Sequence, residues 1–202
     1  MNIKYLDWDS QFFGYSIGFL YVNQKDEIKD LFNYLRSFDN YDCIYLITPY
    51  LKYAEEIGNL TKSTCEIYER RIYENNHLKN KKFPKEIDFL SNSDSLEDLY
   101  TLSFASGHKS RFVRDPKFGE HSSRYFRAWI DGSINGSMAD FIYVNRLNFR
   151  VAGLTSVSIR DQAAQMGLLA VDKASRRQGI GKRLLQAAEY CALINNREVL
   201  RI

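Results

Sequence analysis

The sequence predicts an α/β protein in two units, a small one over residues 1–76 and a larger one over 86–202, joined by a basic connector at 77–85. Three observations carry this reading. Short runs rich in aromatic and β-branched residues alternate with segments whose apolar residues recur at helical spacing. The segment NNHLKNKKFPKE crowds Lys79, Lys81, Lys82 and Lys85 around Pro84, the composition of a link. Residues 164–191 read as a strand, a basic glycine-bearing turn and an amphipathic helix, and the rest of the chain is organised around them.

In the first unit, Ile3 to Leu6 and Tyr15 to Val22 have strand composition. Residues 26–38 place Ile28, Leu31, Phe32, Leu35 and Phe38 on one helical stripe. Cys43 to Ile47 is a compact strand run closed by Thr48-Pro49, residues 52–59 form a short helix ending near Gly58, and residues 64–74 alternate as a strand. Nothing in this order demands chemistry. The opening LDWDSQFFG reads as core aromatics, with Asp9 or Ser10 capping a turn.

In the second unit, Ile87 to Leu90 is a short strand. Asp94 or Ser95 opens a helix bearing Leu96, Leu99, Leu102 and Phe104, which Gly107 closes. A loop at 108–119 holds His108, four cations and Asp115-Pro116. A second helix over 122–131 carries Tyr125, Phe126 and Trp129, and the segments 138–145 and 149–160 form a strand hairpin.

The central stretch opens with GLLAV, residues 167–171, short enough for a buried strand. Ile180, Leu184, Ala187, Ala188 and Cys191 then mark one face of a helix. The turn between them is physically odd. A helix N-terminus has unpaired N–H groups and a partial positive charge, so carboxylates belong there. Here Arg176, Arg177, Lys182 and Arg183 surround it, with no acid before Glu189. Each misplaced cation costs about 0.3–1 kcal/mol. Glycines at 179 and 181 cost backbone entropy but let a ligand reach bare N–H groups. Together these costs make sense if the turn holds a strong anion such as a pyrophosphate; the alternative is a solvated basic turn with two glycines for chain reversal. Neither a dinucleotide fingerprint nor a Walker loop fits, since Leu184 stands where a third glycine is needed and no Lys-Ser/Thr follows.

Composition excludes several classes. A net charge of +3 over 202 residues is too small to argue for nucleic acid. Three cysteines, Cys43, Cys65 and Cys191, are widely spaced and odd in number, with no clustered histidines. They read as small core residues in a reducing compartment, not as a disulfide framework or metal site. No stretch approaches a membrane span, and acids stand where a signal peptide needs an apolar run. The expectation is a soluble cytoplasmic protein with neither membrane nor nucleic-acid partner; a homo-oligomer stays open.

Arg176-x-x-Gly179-x-Gly181, preceded by LLAVD and followed by an Ala/Leu-rich helix, resembles motif A of the GCN5-related N-acetyltransferases (GNAT). The resemblance implies a mixed, mostly antiparallel sheet flanked by helices, with acetyl-CoA as acyl donor and no metal. It implies pyrophosphate contacts at Arg176, Arg177, Gln178, Gly179, Ile180, Gly181 and Lys182, and pantetheine contacts on the strand at Leu169, Ala170 and Val171. The loop between the first two helices of such a domain helps form the acceptor pocket, which makes His108, Arg111 and Asp115 the candidates for acceptor contacts; alternatively Arg111 and Asp115 form a surface ion pair with His108 idle beside them. The WDSxFFG and SRFxxDPxF segments resemble the enzymes that acetylate dTDP-linked amino sugars, the dTDP-fucosamine acetyltransferase type, and Arg111 or Arg114 would then face a diphosphate acceptor.

The reaction so implied is direct attack of a neutral amine on the thioester, with N–H groups of residues 168–171 stabilising the oxyanion. A base must deprotonate the ammonium, and the sequence offers only Asp140 and Asp161 nearby. The resemblance also implies a helix and two strands after Ile202, with a tyrosine that protonates the thiolate; the reading is of a domain incomplete at its C-terminus and weakened in turnover. Two classes stay open: an amine acetyltransferase, and a coenzyme A-binding or interaction module with impaired catalysis.

Overall fold

A computed structural model describes residues 2–22, 30–31, 33–34, 40–48, 55–56, 59, 74–75, 78, 82–160 and 162–202. The chain divides into two compact units, Met1–Glu69 and Arg70–Ile202. Within the expected connector, Leu78 is buried and Phe83 packs on the same hydrophobic cluster of the second unit. The rest of the helices expected over 26–38 and 52–59, most of the strand expected over 64–74, and Cys65, His77 and Asp161 lie outside the described residues.

The first unit carries a three-stranded sheet of β1 (Lys4–Tyr5), β2 (Ile17–Tyr21) and β3 (Cys43–Ile47), with β1 antiparallel and β3 parallel to the central β2. Ile3, Leu20, Val22 and Leu31 form its core. Residues 7–13, expected as a turn of core aromatics, instead form helix α1 (Asp7–Phe13). Phe13 is buried, but Trp8 is 39% exposed and stacks on Phe12 at 5.1 Å. Ser10 does not cap; its hydroxyl accepts the Ile17 N–H at 2.9 Å and fixes where β2 begins.

The second unit is a mixed, mostly antiparallel six-stranded sheet flanked by helices, as expected. Its strands are β4 (Glu74–Asn75), β5 (Asp88–Phe89), β6 (Phe141–Leu147), β7 (Arg150–Ile159), β8 (Ala163–Val171) and β9 (Val199–Arg201), in the order β4-β9-β8-β7-β6-β5. Among the described residues only the β8–β9 pairing of this sheet is parallel, and it spans Ala163–Gln165 of β8. Helix α2 (Leu96–Ser106) packs on β7 and β8 and supports α5 (Ser122–Ile134). Ser95 caps α2 by accepting the Asp98 N–H, as its position before the apolar run predicts. Asp98 itself, 5% exposed, accepts from Arg150 and from the Val151 N–H at 3.2 Å, which ties the helix start to β7.

The expected loop at 108–119 contains two one-turn helices, α3 (Arg111–Arg114) and α4 (Pro116–Gly119). Phe112 and Phe118 are buried, and Phe112 stacks on Tyr125 of α5 at 4.0 Å. Gly107 does follow α2, but not as a left-handed terminator: its φ is −101°. A Cβ there would lie 1.7 Å from the Phe126 ring, so glycine is required by packing.

Helix α6 (Ile180–Ile194) buries the stripe expected of it, with Ile180, Leu184, Ala187, Ala188 and Cys191 all at most 1% exposed. Gly153 of β7 lets it approach, since a Cβ there would meet Ile180 and Leu184 side-chain atoms at 2.8 and 3.1 Å. Cys191 is a core residue whose thiol burial pushes above its ordinary pKa.

Candidate active site

Between β8 and α6 the chain makes a tight path. Asp172 accepts the Ala174 N–H at 3.0 Å and starts a 3₁₀ turn over Lys173–Ser175. Arg177 follows at φ +66° and Gly179 at φ +77°. Positive φ at Gly179 carries no Cβ penalty, whereas at Arg177 it stores strain on the order of 1–3 kcal/mol. Gly179 offers no capping side chain, and the first turn of α6 holds no acid. The N–H groups at the start of this helix therefore point out without an intrahelical partner, at the positive end of its dipole.

The four cations of the turn divide. Arg183 turns away: its guanidinium donates to the Gln178 carbonyl at 3.1 Å and pairs with Glu86 at 3.2 Å. Arg183 lies outside the expected contact residues, Arg176 to Lys182, and the structure gives it another partner. Arg176 donates through Nε to the Val171 carbonyl at 3.2 Å. Arg177 and Lys182 are exposed and make no ion pair among the described residues.

This turn and the end of β8 line a cavity of about 510 Å³. Leu169, Ala170, Val171, Arg176, Arg177, Gly179, Ile180 and Gly181 all contribute to it, whereas Gln178 and Lys182 stand outside its lining. On the other side it is walled by Ala105, Ser106 and His108, at the end of α2. Ser106 and Ser175 carried no sequence signal, since a serine at a helix end or in a turn is ordinary.

β8 presents peptide groups to this cavity by alternation. Asp172 N–H bonds the Ala152 carbonyl at 2.8 Å, so in the antiparallel ladder Ala170 faces β7 while Leu169 and Val171 turn their N–H and C=O groups away from it. β9 does not cover that edge past Gln165. Of the four amides expected to act together, two are excluded: Ala170 faces β7, and the Leu168 N–H is bonded to Ser156 Oγ at 2.9 Å.

Of the three acceptor candidates, only His108 reaches the cavity. Its Nδ1 lies 3.0 Å from the Ala105 carbonyl, which can only accept, so Nδ1–H donates there and the tautomer of the neutral ring that keeps this bond has Nε2 as its acceptor. Asp115 accepts the Lys117 N–H at 2.8 Å and caps α4, and the Arg111 guanidinium lies 4.1 Å over the Phe112 ring; neither lines the cavity. Asp140 accepts the Ile159 N–H at 2.6 Å, which occupies it in closing the sheet. Among the described residues there is no group of acids, histidines and cysteines fit to hold a metal, and no helix long and apolar enough to cross a membrane.

Residues 124–202 match the acetyltransferase (GNAT) domain family. The match takes in most of α5, the three long strands, the basic turn and α6, and covers less than half of the chain. Among solved structures, the chain is similar to a GNAT family acetyltransferase from Elizabethkingia anophelis with acetyl-CoA bound, at 16% identity over 55% of this chain and 59% of that one, TM-score 0.38. It is similar to a Brucella melitensis GNAT family acetyltransferase in complex with acetyl-CoA, at 15% identity over 55% and 68%, TM-score 0.39. It is also similar to the PaiA N-acetyltransferase of Thermoplasma acidophilum in complex with coenzyme A, at 19% identity over 55% and 73%, TM-score 0.41. The chain spans between 47% and 59% of the first solved structures it matches. No curated protein matches it.

Proposed function

We propose that the chain is an N-acetyltransferase that binds acetyl-CoA in the cavity between β8 and α6 and acetylates a primary amine. One observation carries the reading: an uncapped helix start, a strained Arg177 and the open edge of β8 all border one cavity. A pyrophosphate suits the α6 amides, with Arg176, Arg177, Gln178 and Lys182 around them, because a diphosphate takes both the N–H groups and the flanking positive charge. The outward peptide groups of Leu169 and the Val171 N–H suit an extended amide-bearing arm, as a strand edge pairs with any such chain, while the Val171 carbonyl already accepts from Arg176. Bound acetyl-CoA supplies an activated acyl group.

The protein's own part is to position and to move a proton. The Leu169 N–H, fixed in a sheet, offers a dipole that needs no reorganisation as charge develops on a carbonyl oxygen. His108 Nε2 is the acceptor nearest in chemistry to what an ammonium needs, and we assign it the proton. Arg111 and Asp115 are kept as acceptor contacts on the resemblance alone, since neither lines the cavity. A dTDP-linked amino sugar is the finer reading of the acceptor, and it rests on the resemblance of the WDSxFFG and SRFxxDPxF segments. A soluble, cytoplasmic setting belongs to the same reading.

Calorimetric titration with coenzyme A tests the core of it. The wild-type protein binds, and Arg177→Glu weakens binding by roughly tenfold or more, the worth of one charge-assisted contact. Binding unaffected by charge reversal at both Arg177 and Lys182 overturns the assignment. Thiol release with a panel of primary amines, dTDP-amino sugars among them, then separates an acetyltransferase from a module that only binds.

A further inference from the structure

Inside the sheet, β7 and β8 lose register between Thr155 and Val157: Thr155 pairs with Leu169, Val157 with Met166. Leu168 is caught in this irregularity, where ladder partners are missing. Both of its peptide groups are nevertheless bonded, and by side chains. Ser156 Oγ accepts the Leu168 N–H at 2.9 Å, and Thr155 Oγ1 donates to the Leu168 carbonyl at 2.9 Å. The two hydroxyl residues are consecutive and at most 1% exposed. Gly167 makes room for them, since a Cβ there would lie 2.9 Å from Ser156 Oγ.

We propose that Thr155 and Ser156 are positioning residues for the carbonyl of the bound thioester, acting through the Leu168 peptide on the Leu169 N–H. Thr155 holds the Leu168 C=O toward β7, so the N–H at the other end of the same planar peptide, that of Leu169, turns to the open edge, into the cavity that Leu169 lines, while Ser156 holds the preceding peptide. Register beyond the irregularity already gives Leu169 this outward side, and the two hydroxyls hold the backbone on its N-terminal flank, where Leu168 has no register partner on β7. The two buried hydroxyls satisfy peptide groups that the irregular register leaves without a partner residue, and in doing so they also fix the plane that carries the Leu169 amide. The inference rests on the acetyl-CoA reading and adds residues that reading does not use.

The test uses acetyl-CoA labelled with ¹³C at the thioester carbonyl, and unacylated coenzyme A as its control. In the wild-type protein the infrared carbonyl stretch of bound acetyl-CoA moves below its value in solution, and acetyl-CoA binds more tightly than coenzyme A. Thr155→Val, of the same shape, should return the stretch toward the solution value and reduce the preference for acetyl-CoA by about fivefold to tenfold, the effect of one misplaced hydrogen bond, while coenzyme A affinity holds. Thr155→Ser, which keeps the hydroxyl, restores both. Ser156→Ala gives a second route to the same loss should the valine variant fold poorly. A Thr155→Val or Ser156→Ala protein with an unchanged carbonyl stretch and preference overturns the clamp while leaving the acetyltransferase reading intact. A wild-type protein that binds neither compound overturns both.

Discussion

Arg183 Nη2 lies 3.2 Å from the Glu86 carboxylate, and the same guanidinium holds the Gln178 carbonyl at 3.1 Å. Glu86 sits at φ +66°, and its carbonyl receives the Asn145 side-chain amide at 2.7 Å. The last cation of the basic turn is thus a strut between the segment before β5 and the turn itself. Its charge is spent on a carboxylate, which leaves the outer cations to an anion.

Removing the strut should loosen the turn without removing a ligand contact. Glu86→Gln is expected to weaken coenzyme A binding about threefold to tenfold, since a partly exposed ion pair contributes on the order of 1 kcal/mol. The melting temperature should move little. Arg183→Ala should cost more in stability, because its half-buried stem contributes packing as well as charge. Coenzyme affinity unchanged in both variants would show that the strut serves the fold alone.

The two glycines of the turn should separate under substitution. Gly179 stands at φ +77°, where an alanine costs about 1–2 kcal/mol. Gly181 lies in the first turn of α6, and an added Cβ would meet only Val171 Cγ2 at an ordinary 3.7 Å. Gly181→Ala should therefore fold as well as the wild type or gain up to about 1 kcal/mol. Urea unfolding checks both. Equal destabilisation by the two alanines would refute the assigned geometry of the turn.

How much of this was legible from the residues differs by region. The strand, turn and helix of 164–191 were readable because three independent signals agreed there: a short apolar run, a 3.6-residue stripe and misplaced cations. The fate of Arg183 was not, since its partner Glu86 is 97 positions away in sequence and pairs only once the sheet has formed. The structural duties of the SRFxxDPxF segment were not legible either. Phe112, Phe118 and the capping Asp115 are explained by packing and a helix start, so residues that look like an acceptor site by pattern carry structural duties. Thr155 and Ser156 gave no signal at all, because β-strand serines and threonines are ordinary until a register shift gives their hydroxyls a peptide to hold.

Acid should unfold the second unit through Asp94. Its side chain is 6% exposed and takes both Arg146 Nε at 2.7 Å and Nη2 at 2.6 Å. The Arg146 hydrogen bonds hold the Asp94 carboxyl below its usual pKa, against the opposing effect of burial. A carboxyl depressed on folding adds stability that is complete above its unfolded value of about 3.9 and fades as pH falls through the lower folded value. Stability should therefore be flat from pH 7 down to about pH 5 on this account and fall below about pH 4. Asp94→Asn removes the charge: it should lower the unfolding free energy at pH 7 by about 1–3 kcal/mol and make the acid limb shallower. Asp98, depressed by its Arg150 hydrogen bond, works in the same direction from the other end of the same helix start. Denaturant titrations of the wild type and Asp94→Asn at pH 7 and at pH 3 decide the matter. A difference between the two proteins as large at pH 3 as at pH 7 would mean that the Arg146 pair stabilises by shape and not by charge.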